Sequence, residues 1–425
     1  MRRKTRTVRS KRKQDWKSNF WIGIIVLVIT GLLVGVLVFL YSEHVERKHI
    51  MSQIDSSLRE ADSLLDARKF EEAIDIYKGV LEKVSSKKFP DEYAMTQNNL
   101  GNAYGYLAGV KDKESNLEKA INAFQEALKI KTVESHPIEY ATTQNNLGNA
   151  YDGLAEVRDK GANLEKAIHA YQEALKIRTV ESYPIGYATT QNNLGTAYTH
   201  LAEVRNKGSN LEKAINACQE ALKIYTVGND STDYAMTQSN IGTAYRGLAE
   251  VRDKEANLEK AITAFQETLK INTVERYPIN YAAIQNNLGN AYLDLAGVRD
   301  KEANLEKAIT AHQEALKINT VERYPVDYAM IQSNLGAAYS GLAEVRDKES
   351  NLEKAINAYQ EALKIRTIES YPIDYAMTQY NLGIAYSGLA EVRDKESNLK
   401  KAINAYQEAL KIYTEEKYPI MYQTV

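Results

Sequence analysis

Cysteine is almost absent. A single Cys218 in 425 residues rules out an internal disulfide framework and any cysteine-based metal cluster. Proline and glycine are also scarce, at seven and 22, which excludes collagen-like and low-complexity disordered chains. A net charge of −2 gives no general reason to seek a polyanion. There is no P-loop, no Rossmann glycine fingerprint, no HExxH zinc helix and no GxSxG elbow. The six histidines (His44, His49, His136, His169, His200 and His312) are scattered along the chain. His312 and Cys218 occupy a slot that Phe124 and Tyr171 fill in sister segments, so both read as core. A Cys–His dyad needs an exposed, polarised thiol, which a packed stripe does not provide. No catalytic centre, metal site or cofactor is expected.

Charge is missing altogether between Lys17 and Glu43. Phe20 to Tyr41 is a run of 22 uncharged, mostly aliphatic residues. As a helix it reaches ~33 Å, enough to cross a hydrocarbon core of ~30 Å. Trp16, Trp21 and Tyr41 sit near its ends, where amphipathic rings favour the membrane interface. The run exceeds the apolar region of a cleaved leader and ends in no small-x-small site, so it reads as an uncleaved anchor. Ahead of it, nine Lys/Arg and one Asp in residues 1–19 give +8, leaving −10 for the remainder. The positive-inside bias keeps that tail cytoplasmic and puts everything after Tyr41 on the periplasmic, extracellular or lumenal side. The charge also suits anionic lipid heads, and topology explains it without a nucleic-acid partner. Gly31 and Gly35 form a GxxxG pattern, common by chance in apolar helices but also a contact through which two helices dimerise.

The rest of the chain repeats. Gln97-Asn-Asn-Leu-Gly-Asn-Ala-Tyr104 recurs from Gln144, Gln191, Gln238, Gln285, Gln332 and Gln379, always 47 residues on. Pro90, Pro137, Pro184, Pro278, Pro325, Pro372 and Pro419 keep the same interval, with Ser231 at the missing beat. Each unit reads as two helices. Helix A starts at the proline, where a missing N–H is harmless, and runs to about Val110. Its apolar stripe is Tyr93, Leu100, Ala103, Tyr104, Leu107 and Val110. After a polar turn, Asn116 is placed as an N-cap, and helix B runs from Leu117 to about Ile130. Neither helix buries its stripe alone, so neighbouring units must stack.

These residues resemble the tetratricopeptide repeat. Leu100-Gly101 and Tyr104 match its helix A, and Ala120, Phe124 and Ala127 match its helix B. Later units match through Gly148, Gly195, Gly242, Gly289, Gly336 and Gly383, and through Ala167, Ala214, Ala261, Ala308, Ala355 and Ala402. The family's usual unit is about 34 residues. This one has seven more residues between Tyr104 and Ala120 and six more between Ala127 and Leu147. The longer pitch is similar to arrays beside CHAT protease or NTPase domains and to kinesin light chain repeats, although no such enzyme is readable here. The resemblance implies an all-α, right-handed superhelical solenoid of helix pairs, and the apolar run places one transmembrane helix before it. The expected organisation is a basic tail at 1–19, the anchor at 20–41, a helical linker at 42–53 and the solenoid at 54–418. The solenoid comprises an ordinary-length unit at 54–87 and seven 47-residue units, and 419–425 begins a further helix.

Most repeated positions read as structure. The Tyr93 and Tyr104 columns are packing residues with a polar tip, and the Arg-Asp-Lys turns form a solvated charge ladder worth little per pair. The asparagines invite another reading. One column never varies: Asn99, Asn146, Asn193, Asn240, Asn287, Asn334 and Asn381. The residue before it varies: Asn98, Asn145, Asn192, Ser239, Asn286, Ser333 and Tyr380. So does the residue three after: Asn102, Asn149, Thr196, Thr243, Asn290, Ala337 and Ile384. The resemblance implies that helix A lines a concave groove whose Asn side chains hold an extended peptide, since an amide both donates and accepts. Against this stands a hydrogen-bond ladder between repeats. The unvarying column fits the ladder better and the two varying columns fit the groove better. Asp152, His200 and Arg246 add charge to the same face, and later units are more apolar. The junction Val227 to Thr232, which lacks its proline, reads as drift in one copy rather than a hinge.

With neither Pro nor Gly between Gly35 and Gly79, the anchor helix is expected to run into the first repeat. The last helix B, with no polar cap after it, is expected to leave apolar surface for self-association or a partner. The reading is therefore a membrane-anchored scaffold, not an enzyme, that binds peptide or protein in its groove. The alternatives are a self-associating envelope spacer or an adaptor for a separately encoded protease or NTPase.

Overall fold

The computed structural model describes residues 4–228 and 231–425. The side chains of the basic tail, together with Asn229 and Asp230 of the junction, lie outside the described residues. All regular structure among the described residues is helical, and the chain divides into two compact units between Lys131 and Thr132.

The first unit opens with α1 (Lys4–Asp66), an uninterrupted helix of 63 residues. With no helix breaker after Gly35, one helix carries both the apolar run and part of a packed core. Side chains from Phe20 to Tyr41 are almost all exposed, whereas Ile54, Leu58 and Ala61 are buried. Those three pack against α2 (Phe70–Lys83), where the Tyr77 hydroxyl donates to Asp62 Oδ1 at 2.7 Å. Between the two regions the Arg47 guanidinium lies 5.5 Å over the Phe89 ring. A further pair, α3 (Pro90–Ala108) and α4 (Lys113–Leu128), completes this unit.

The second unit stacks six pairs of the same kind. They are α5 (Pro137–Ala155) with α6 (Lys160–Leu175), α7 (Pro184–Ala202) with α8 (Lys207–Ala221), and α9 (Ser231–Ala249) with α10 (Lys254–Leu269). Then come α11 (Pro278–Ala296) with α12 (Lys301–Leu316), α13 (Pro325–Ala343) with α14 (Lys348–Leu363), and α15 (Pro372–Ala390) with α16 (Lys395–Leu410). A short α17 (Pro419–Thr424) follows. The helix α9 keeps the register of its sisters without a proline.

Glycine sets the distance within a pair. A Cβ at Gly148 would stand 2.5 Å from the Tyr171 ring, and one at Gly289 would stand 2.6 Å from His312. The turn between helices departs from expectation. Helix B begins at Lys113, three residues before the expected cap. It starts from Asp112 in the left-handed region, φ 47°, and Asp159, Asn206, Asp253, Asp300, Asp347 and Asp394 do the same at φ 44–50°. Only Gly, Asn and Asp enter that region at little cost. Asn116 is therefore buried inside the helix, and its amide donates back to the Lys111 carbonyl at 2.9 Å. Asn163, Asn210, Asn257, Asn304, Asn351 and Asn398 repeat this clip at 2.7–2.9 Å. Val110 also departs from the expected stripe: it lies past the end of α3 and is 69% exposed. On α16, Leu399 and Ile403 are 39% and 53% exposed, where their equivalents Leu352 and Ile356 are both 6% exposed.

Candidate partner-binding face

Side chains from the A helices of successive repeats meet on one face of the second unit. Their lower layer is a ladder of amides. Asn193 Nδ2 donates to Asn145 Oδ1 at 3.3 Å and to Asn149 Oδ1 at 3.1 Å in the preceding repeat. Asn240 donates to Asn192 Oδ1 at 3.0 Å and to Thr196 Oγ1 at 3.1 Å, and Asn334 donates to Asn286 Oδ1 at 3.2 Å. The acceptors Asn145, Asn192 and Asn286 are 5%, 3% and 5% exposed. This corrects the expectation for the column before the unvarying Asn: burial takes those three amides out of reach of a ligand. Each spans to the next repeat instead, because an unpaired buried amide would cost about 1–3 kcal/mol.

The remaining expected residues fall into two groups. On α3, Asn98, Asn99 and Asn102 are half-buried, and Asn98 Nδ2 donates to Asn99 Oδ1 at 3.4 Å. In the second unit Asn146, Asn287, Asn290 and Asn381 are half-buried, like Asn193, Asn240 and Asn334. Asn149 is the exposed member of the set, and its Oδ1 also receives the Tyr171 hydroxyl at 2.8 Å.

Above the ladder lie the charged groups. His200 Nδ1 pairs with Asp152 Oδ1 at 3.1 Å across 48 residues. Its hydrogen bond to Asp152 raises the imidazole pKa against the opposing effect of burial. The same register recurs where Arg246 Nε donates to Asp294 Oδ2 at 2.7 Å. Sequence reasoning missed Asp294; the signal was its 48-residue offset from Arg246, equal to that of His200 from Asp152. The four side chains are part-exposed, so they both join repeats and face solvent.

The tyrosines behave as packing residues with polar tips. Lys166, Lys213, Lys260, Lys307, Lys354 and Lys401 lie 5.3–5.6 Å over Tyr151, Tyr198, Tyr245, Tyr292, Tyr339 and Tyr386. Gln172 donates to the Tyr198 hydroxyl and Gln360 to that of Tyr386, each tying one repeat to the next. At the turns, Arg299 reaches Glu255 and Glu259 of the preceding repeat, and Lys301 reaches Glu344 of the following one. No cluster of metal-ligating side chains occurs among the described residues.

Residues 282–321 match the family model of the tetratricopeptide repeat. That stretch holds Leu288, Gly289, Tyr292, Ala308 and Ala315, the pattern the other copies carry at the same interval. No curated protein matches the sequence. Among solved structures, the apo form of RapI is similar with a TM-score of 0.50 at 16% identity, covering 86% of this chain and 98% of that one. A tetratricopeptide repeat protein from Parabacteroides merdae gives 0.44 at 12% identity, covering 83% and 99%. The C-terminal part of a repeat protein from Cytophaga hutchinsonii gives 0.44 at 16%, covering 72% and 95%. At 16% identity the likeness to RapI is one of fold.

Proposed function

We propose that this chain, which matches the tetratricopeptide-repeat model at 282–321 and carries the same pattern in its other copies, is a membrane-anchored scaffold that captures a peptide or protein along its helix A face. One observation carries the reading. The seven copies are nearly identical along most of their packed faces, yet they differ at two helix A positions that are part-exposed in most copies. The position of Asp152 is Gly105, Thr199, Arg246, Leu293, Ser340 and Ser387 in the other copies, and that of Asn149 runs from Asn102 to Ile384. A surface reading a non-repetitive ligand requires such variety. The exposed Asn149 and the part-exposed Asp152, His200, Arg246 and Asp294 would contact the ligand, and the buried amides would hold the helices in register. The exposed apolar run of α1 supports anchoring, and the +8 charge ahead of it supports a cytoplasmic tail with the repeats across the membrane.

Affinity purification of the detergent-solubilised chain tests this. A defined client should co-purify, and Asp152→Ala together with Arg246→Ala should weaken its capture about tenfold or more, as loss of charged hydrogen bonds does. Capture unchanged in the double variant would remove the helix A face from the reading.

A further inference from the structure

Between α5 and the loop entering α7 lies a cavity of about 280 Å³, away from the exposed charges of the helix A face. Its walls include Ile138, Thr142, Arg178, Ser182, Ile185 and Gly186. The Arg178 guanidinium is half-buried and donates from Nη1 to Thr190 Oγ1 at 3.0 Å and from Nη2 to Thr142 Oγ1 at 3.0 Å. Burial pulls its pKa below the usual arginine range, and the only group acting the other way is the Tyr225 phenol.

The same position in other copies shows what is missing. Lys131 stands there in the first unit and pairs with Asp91 at 2.8 Å. Arg366 stands there later, donates to Thr378 at 2.9 Å as Arg178 does to Thr190, and has Asp374 Oδ1 at 3.9 Å. For Arg178 the equivalent of Asp91 is Ile138, and the equivalent of Asp374 is Gly186. Both acid positions are vacated, and both line the cavity. Among the described residues no carboxylate pairs with this cation. A cation taken partly out of water without its counter-charge is costly, and an ion-pairing ligand relieves that cost.

We propose that this cavity is a carboxylate-binding site, in which a ligand carboxylate takes the place that Asp374 fills beside Arg366. Arg178 holds the anion, Ser182 lies in the wall beside it, and Ile138 and Ile185 receive an apolar stem. The Thr190 hydroxyl also lies 3.1 Å from Asn145 Oδ1, so the occupied site connects directly to the amide ladder. The site is independent of the helix A face reading.

Calorimetric titration of the full chain in detergent tests the site. The probes are acetyl-Ala-Glu-Ala-amide, its Gln counterpart and acetate, at constant ionic strength. The Glu peptide is expected to bind in the millimolar range, with the Gln peptide at least about tenfold weaker, the usual loss for a charged hydrogen bond. Tighter binding of the peptide than of acetate assigns the source to an acidic side chain of a partner; equal binding assigns it to a free small acid. Either result supports a carboxylate site. Arg178→Gln should abolish binding. Should that variant fail to fold, Gly186→Asp carries the test. A Cβ there lies 3.2 Å from the flexible Arg178 side chain, so the aspartate fits with a small shift and supplies the internal acid. Gly186→Asp should lose the Glu-selective binding and slow hydrogen exchange across 177–190. Equal binding of Glu and Gln peptides, no binding of any probe, or an unchanged response in Gly186→Asp would overturn the proposal.

Discussion

His312 is a charge-capable ring in a slot built for benzene. It is fully buried against Gly289, and neither ring nitrogen has a hydrogen-bond partner among the described residues. Burial, reinforced by Arg246, pushes its pKa down to about 4. The folded value lies below the ordinary value of about 6.5, so on acidification the unfolded chain takes up the proton first. Stability present at neutral pH is therefore lost as pH falls from about 6.5 to about 4, by roughly 2–4 kcal/mol at 1.36 kcal/mol per pKa unit. His312→Phe should raise the melting temperature of its repeat at pH 7 and remove most of that acid sensitivity, as thermal melts of the full chain between pH 4 and 7 would register. A parallel pH profile in both proteins would show that the ring is not buried as described. His200 works in the opposite sense. Its pKa is raised by Asp152, so its contribution is complete below about 6.5 and fades as pH rises through the raised value.

Within an element pair, glycine and asparagine decide geometry. Gly148→Ala would drive a methyl to 2.5 Å from the Tyr171 ring and force α5 from α6. A cost of about 1–3 kcal/mol is expected, the usual range for overpacking. Gly161→Ala, on the first turn of α6, meets its nearest neighbour at 3.4 Å and should be neutral or stabilising by up to about 1 kcal/mol. Chemical denaturation of the two variants, with hydrogen exchange to localise the effect, checks the contrast; equal losses would contradict it. This scale also divides what the sequence makes legible from what it hides. The 47-residue interval and its prolines make every helix A readable, because proline tolerates only the first turn. The start of helix B was not readable, since Asp112 acts through a left-handed backbone conformation and not through a capping side chain. Asn116 has the residue type of a cap yet serves as a buried clip. Asn145 and Asn149 share a face in α5, but the next repeat covers one and leaves the other open. That overlap is a property of stacking, which no single repeat records.

For the whole molecule, α1 matters most. One continuous helix carries an exposed apolar run and then becomes part of the first repeat's core, so an anchor would hold that repeat without a flexible tether. If the tail is cytoplasmic, protease added to intact cells should digest the repeats and spare a tag at the N-terminus; protection of the repeats until the membrane is opened would reverse the orientation. The central claim is that buried positions of helix A build the array while its exposed and part-exposed, varying positions bind. The most direct measurement is position-resolved photo-crosslinking in the full chain, with the reactive side chain placed in turn at Asn149, at Thr199 and, as a control on the opposite helix, at His169. The account predicts one discrete client adduct from the first two positions and none from the third. Adducts of equal yield at all three positions, or from His169 alone, would contradict it.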